Sequence, residues 1–332
     1  MAGAGIPKWL QYVNKFPLGM IINGEFWVCV FAILSGYLLN KKDIRNGADL
    51  IKICINRYFR FVIPFFFANF FVYLLYNFVG FSAQKCGMIV NNQWLLNQYT
   101  NAIDFISVVK NSLMLGNELN NNFWIIKHML LGSWLIYISN YVCYKFNNQK
   151  IKIVVAIGLL LFPYTFFIGV TYAGSLLAEV PKKLKFIYQR EKITMIYFVA
   201  MLGLMSGIQN IVAEILKIQW LHINQYWEAF YAMCMLGCIC SENRVLEKFE
   251  KWRIDTFSNQ SMTIYLLHWP IICSFSTWCF IKLIEMRKYN NFLIYYFGTL
   301  IITSIVLLIS VYLYGKVFGR ISNAFLRRLT FR

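Results

Sequence analysis

Runs of about twenty apolar residues, the length that crosses ~30 Å of hydrocarbon as a helix, recur near 20–39, 61–81, 123–143, 193–212, 223–241, 261–283 and 291–315. Inside a bilayer every backbone N–H and C=O must be satisfied within the protein, so these runs are expected to be helices. At 59% hydrophobic and 14% charged residues the chain also departs from a soluble globular composition. The expected fold class is all-α, a polytopic membrane helical bundle forming a single domain over 1–332 in the cell membrane.

The stretch from 151 to 180 is too short for two full perpendicular spans. Its flanks, Lys145, Lys150 and Lys152 on one side and Lys182, Lys183, Lys185, Arg190 and Lys192 on the other, are both basic. The positive-inside rule places both in the cytoplasm and requires an even number of crossings. Pro163 is placed to break the run, which predicts two short tilted helices or a re-entrant pair. The total is then about nine transmembrane elements.

The same rule makes the loop with Lys41, Lys42, Arg45, Lys52, Arg57 and Arg60 cytoplasmic, and Lys316, Arg320, Arg327, Arg328 and Arg332 put the C-terminus there too. Residues 82–122, rich in Asn and Gln, become the longest external loop, and 103–115 within it has the spacing of an amphipathic surface helix. Lys282, Arg287 and Lys288 fall on the external side and fit least well.

A formal net charge of +18 does not point to nucleic acid. The cations fall in short clusters between apolar runs, the pattern of loops touching anionic lipid, so the bilayer is the expected partner. The nine cysteines show no ligand spacing with histidine; Cys234, Cys238 and Cys240 lie inside an apolar run and read as buried thiols, so no metal site is expected. The first residues lack the pattern of a cleaved signal peptide, leaving insertion to the first spanning helix.

Several polar groups interrupt the apolar pattern. In FAILSGYLL (31–39), Ser35 and Gly36 permit close helix approach and a hydrogen bond across it, which packing alone explains. In RYFRFVIP (57–64), Arg57 and Arg60 are three apart and share a helix face ahead of Pro64. Two guanidinium forks there suit either the phosphates of a bound ligand or lipid headgroups. NNFWIIKHMLLGSW (121–134) carries Trp124, Lys127, His128, Gly132 and Ser133. Lys127 can snorkel to water, while His128 is a functional candidate as an ionisable group at membrane depth. SMTIYLLHWPII (261–272) places His268 in an apolar helix, where it can be a base, a hydrogen-bonding group or a tether. His222, in a polar stretch, reads as interfacial.

Taken in order, these phrases resemble the acyltransferase-3 family, integral membrane enzymes that O-acylate sugars and glycans, over roughly 20–315. Phe31, Ser35 and Gly36 match its Phe-Phe-x-x-Ser-Gly phrase, with Ala32 at the second aromatic. Arg57, Arg60 and Pro64 match its Arg-x-x-Arg and following Pro. Trp124, Gly132 and Ser133 match its Trp-x-x-x-x-Glu-x-x-Gly-Ser, with Met129 at the glutamate. YAGSLLAEV (172–180) is similar to its Gly-x-Leu-Leu-Ala helix, and 261–270 to its Ser-x-x-x-Tyr-Leu-x-His-x-Pro.

The resemblance implies acyl transfer, with acetyl the expected group, from cytoplasmic acyl-CoA as donor substrate to a hydroxyl of a cell-surface glycan or its lipid-linked precursor. No bound cofactor is implied. It also implies a preceding segment with a catalytic histidine. About twenty residues precede the first match and none is a histidine, so the chain is expected to lack the first transmembrane helix and to be inactive or nearly so unless His268 substitutes as base. A degenerate member with a binding or export role, and a glycan or lipid transporter, are the alternatives; the paired halves of many transporters are not visible here.

Overall fold

A computed structural model of the chain describes residues 23–40, 44–179, 223–239, 260–286, 292–321 and 324. The expected span at 193–212, His222, Cys240, the basic flank 182–192, and Arg287, Lys288, Arg327, Arg328 and Arg332 lie outside them. Among the described residues every regular element is helical: α1 (Gly24–Leu39), α2 (Gly47–Phe78), α3 (Ala83–Val90), α4 (Phe105–Met114), α5 (Trp124–Phe146), α6 (Lys150–Leu161), α7 (Phe166–Ala178), α8 (Ile223–Ile239), α9 (Ser261–Ile271), α10 (Thr277–Glu285) and α11 (Phe292–Tyr314).

Three described helical segments, Gly47–Phe78, Ser261–Glu285 and Ile294–Gly319, are long and apolar enough to cross a membrane, and a fourth span is reached if the bent pair α6–α7 counts as one. That is fewer than the nine elements expected from the sequence. α1 has 16 residues, about 24 Å at 1.5 Å per residue, and α5 is long enough but carries Lys127, His128, Ser133 and Asn140 along its length. α2 runs 32 residues, about 48 Å, so the loop expected over 41–60 is helical from Gly47 onward. Its start is capped by Asn46, whose side chain accepts the Asp49 N–H at 2.7 Å.

The chain forms two compact units, one of Tyr58–Lys127 and the residues from Ile254 onward, the other of Pro7–Arg57 and His128–Arg253. It passes from one unit to the other within α2 and within α5.

In the first unit, Phe67 and Phe71 of α2 pack on a cluster of Leu267, Ile271, Val311 and Tyr314 from α9 and α11. Pro64 leaves the Arg60 carbonyl without its helical donor, and the Tyr314 hydroxyl donates to the Pro64 carbonyl at 3.0 Å. The amphipathic segment expected at 103–115 is α4. Its inner face buries Val108, Asn111 and Ser112; Asn69 of α2 donates to Ser112 at 3.0 Å. A π-helical turn, Ile272–Ser276, joins α9 to α10 just after Pro270.

In the second unit, the break expected at Pro163 is present: α6 and α7 meet at an angle of 114°, and Phe162 before the proline is extended as residues preceding proline are. Lys152, near the start of α6, is paired with Glu179 at the end of α7, and the Asn40 amide at the end of α1 donates to Glu179 at 3.0 Å. The ends of three helices thus lie together. Lys152 itself is buried rather than facing lipid.

Candidate active site

The second unit gathers residues from four of the sequence phrases. Close approach comes first. A Cβ on Gly36 of α1 would lie 1.8 Å from the Thr171 carbonyl oxygen of α7, one on Gly174 would lie 2.0 Å from the Ile33 carbonyl of α1, and one on Gly132 of α5 would meet the Thr171 side chain at 2.8 Å. The α1–α7 crossing and the seat of α5 on α7 therefore exist only because these positions are glycine.

A serine stands beside each of those glycines, and two of them, Ser35 and Ser133, face Arg57. The Arg57 Nη2 donates to Ser35 Oγ at 2.8 Å and its Nε donates to Ser133 Oγ at 3.2 Å. Ser133 passes the contact on, donating to the Met129 carbonyl at 2.6 Å. Met129, at the place of the family's glutamate, is buried. A guanidinium is planar with its donors in a fixed fork, so two hydroxyl acceptors from different helices fix its plane. Arg60 lies one helical turn further along α2 and is exposed. His128 lies beside Phe167, ring centroids 6.3 Å apart.

The first unit holds His268 on α9. Its Nδ1 is 2.7 Å from the Tyr265 carbonyl and 3.2 Å from that of Ile264. Two carbonyls can only accept, so Nδ1 carries the proton. Nε2 then presents its lone pair, which receives the Asn122 side-chain amide at 2.9 Å. The Tyr265 hydroxyl donates to the Asn122 carbonyl, so α9 grips that asparagine at its backbone and its side chain. Asn122 lies in the 3-10 turn Asn121–Phe123 ahead of Trp124, a turn capped by the Asn120 side chain at Asn122 N, 3.2 Å. Sequence reasoning missed Asn122; the signal available was the run of three asparagines at 120–122 abutting Trp124.

A family model described as an acyltransferase domain matches residues 2–311. The chain belongs to the acyltransferase-3 family. No curated protein and no solved structure matches it. As an acyltransferase-3 chain with helices long and apolar enough to cross a bilayer, it is a membrane acyltransferase in general class. Its family phrases correspond to two constructions: Ser35, Gly36, Arg57, Gly132 and Ser133 in one unit, and His268 with Asn122 in the other.

Among the described residues no group of three or more His, Cys, Asp or Glu is arranged to hold a metal ion. Cys29, Cys86, Cys143, Cys273 and Cys279 are buried and take the place of small apolar side chains.

Proposed function

We propose that the chain transfers an acyl group, acetyl in the simplest case, from cytoplasmic acyl-CoA to a hydroxyl of a cell-surface glycan or its lipid-linked precursor. It does so as a multi-pass protein of the cell membrane with its C-terminus in the cytoplasm. The observation that carries the reading is the tautomer of His268: with Nδ1–H held by backbone carbonyls, Nε2 is oriented as a base.

In this reaction the acceptor hydroxyl replaces the Asn122 amide at Nε2, one neutral donor for another. Nε2 removes the hydroxyl proton as the oxygen attacks the thioester carbonyl; the new C–O bond forms, the C–S bond breaks, and the CoA thiolate leaves and is protonated. The resulting imidazolium charge is stabilised by the carbonyls of Tyr265 and Ile264. Independently of where His268 lies, Arg57, oriented by Ser35 and Ser133, and exposed Arg60 are guanidinium forks suited to a donor's phosphates.

The test is transfer itself. Membranes containing the chain are incubated with acetyl-CoA carrying a labelled acetyl group and an extract of lipid-linked and free glycans. Label in alkali-labile glycan ester, matched by CoA release, is expected. CoA release without glycan ester, or neither, overturns the proposal.

A further inference from the structure

The segment between α3 and α4 presents an aromatic platform that is tightly held by neutral groups. Trp94 packs on Trp269, ring centroids 4.0 Å apart and planes tilted by 47°. Trp269 is buried whereas Trp94 keeps 47% of its surface exposed, so one indole backs the other. Gln98 secures both: its amide donates to the Trp94 carbonyl at 3.1 Å, and its oxygen accepts the Trp269 indole N–H at 3.3 Å. The Asn92 side chain caps the turn Gln93–Leu96 by accepting the N–H groups of Trp94 and Leu95. Next along the chain, Tyr99 is held at a φ of +52°, in the left-handed region that costs a bulky residue of order 1–3 kcal/mol. Its ring nevertheless stacks on Phe81 at 3.7 Å. A loop this constrained holds the outer indole in one place.

The chemistry around Trp94 selects what such a surface takes. Between Lys85 and Lys110 the sequence has no cation. Asn91, Gln93, Asn97 and Asn101 are exposed instead, and each amide offers two donors and an acceptor. An electron-rich aromatic face receives the weakly positive C–H groups of a pyranose ring, and neutral amides pair with its hydroxyls. Trp269 directly follows His268 on α9, so the platform's backing residue belongs to the helix turn that carries the base.

We infer that Trp94, backed by Trp269 and ringed by the amides of this loop, is a binding platform for a neutral sugar ring of the acceptor. The inference rests on the reading of the chain as a glycan acyltransferase, but it is tested without donor. The full chain in lipid nanodiscs is probed by saturation-transfer NMR with maltotriose, chitotriose and lactose. Saturation of ring C–H protons is expected for at least one sugar. Trp94→Ala should weaken binding about tenfold, the scale of losing one aromatic contact, whereas Trp94→Phe should retain most of it and serves as the folding control. No saturation by any of the sugars, or a signal unaffected by Trp94→Ala, overturns the platform, including the case in which Trp94→Ala changes only quenching by brominated lipid and Trp94 is a membrane anchor. Sugar binding through Trp94 in a chain that transfers no acyl group would overturn the proposed reaction and leave the platform standing.

Discussion

Arg57 and Ser35, twenty-two residues apart in sequence, are joined by a 2.8 Å hydrogen bond from the guanidinium to the hydroxyl. Ser133 completes the arrangement from α5 at 3.2 Å. Three short phrases that each have a bland explanation alone therefore form one construction, in which glycines set the helix spacing and adjacent serines use it to hold an arginine. Hydrogen bonds to a charged group contribute about 1.5–3 kcal/mol. In a double-mutant cycle, Arg57→Lys and Ser35→Ala should couple by about 1–2 kcal/mol, read from unfolding in mixed micelles. Additive effects would remove Ser35 from the account.

The glycine at the α1–α7 crossing should tolerate nothing larger. A Cβ on Gly36 meets a backbone carbonyl at 1.8 Å, and backbone cannot turn aside. Gly36→Ala should cost roughly 3 kcal/mol or more, and Gly174→Ala a similar amount. Gly158, in mid-α6 with nothing within 4 Å of its Cβ position, is the control: Gly158→Ala should stabilise by about 0.5–1 kcal/mol. Equal melting temperatures for the Gly36 and Gly158 variants would contradict the crossing as described.

Lys152 is buried against Glu179 and Asn40. Removing the cation strands a carboxylate, and breaking a buried pair costs about 3–5 kcal/mol; with the Glu179 side chain 35% exposed, the lower part of that range is expected. Lys152→Met should be strongly destabilising, and Lys152→Met with Glu179→Met should recover most of the loss. Failure of the double variant to recover stability would show that the pair is not the reason for burying Lys152.

Asp104 caps α4 by accepting the Ser107 N–H at 3.0 Å. Hydrogen bonding to Ser107 holds its carboxyl below the usual carboxylate range. A depressed folded-state pKa contributes stability above the unfolded value and loses it as pH falls through the folded one. Amide exchange at Ser107 should therefore lose its protection as pH falls through that acid range, after correction for intrinsic exchange. Asp104→Ala should abolish this pH dependence; unchanged protection in the variant would deny the cap any role.

Apolar run length was enough to anticipate an all-helical fold, and Pro163 to anticipate the break, because both follow from local rules. Boundaries were harder. Hydropathy marks where α2 becomes apolar near 61, but the helix begins at Gly47, since Lys and Arg are good helix formers and a polar surface does not end a helix. Lys152 has the pattern of a loop cation, and only its contact with Glu179, distant in sequence, shows that it is buried. The candidate site divides the same way. Ser35, Arg57, Ser133 and His268 stand out as polar groups in apolar surroundings, whereas Asn122 does not. Its importance arises from Tyr265 and His268, more than 140 residues downstream, and no local pattern encodes that pairing.

The central claim is that His268 is the base and Arg57 a donor-binding group, and steady-state acyl transfer by the full chain in nanodiscs separates the two roles. Loss of general-base catalysis costs on the order of a hundred- to ten-thousand-fold. The account predicts that His268→Gln lowers kcat on that scale with little change in the KM for acetyl-CoA, while Arg57→Lys raises that KM and largely spares kcat. Transfer by His268→Gln at the rate of the unaltered chain would contradict it.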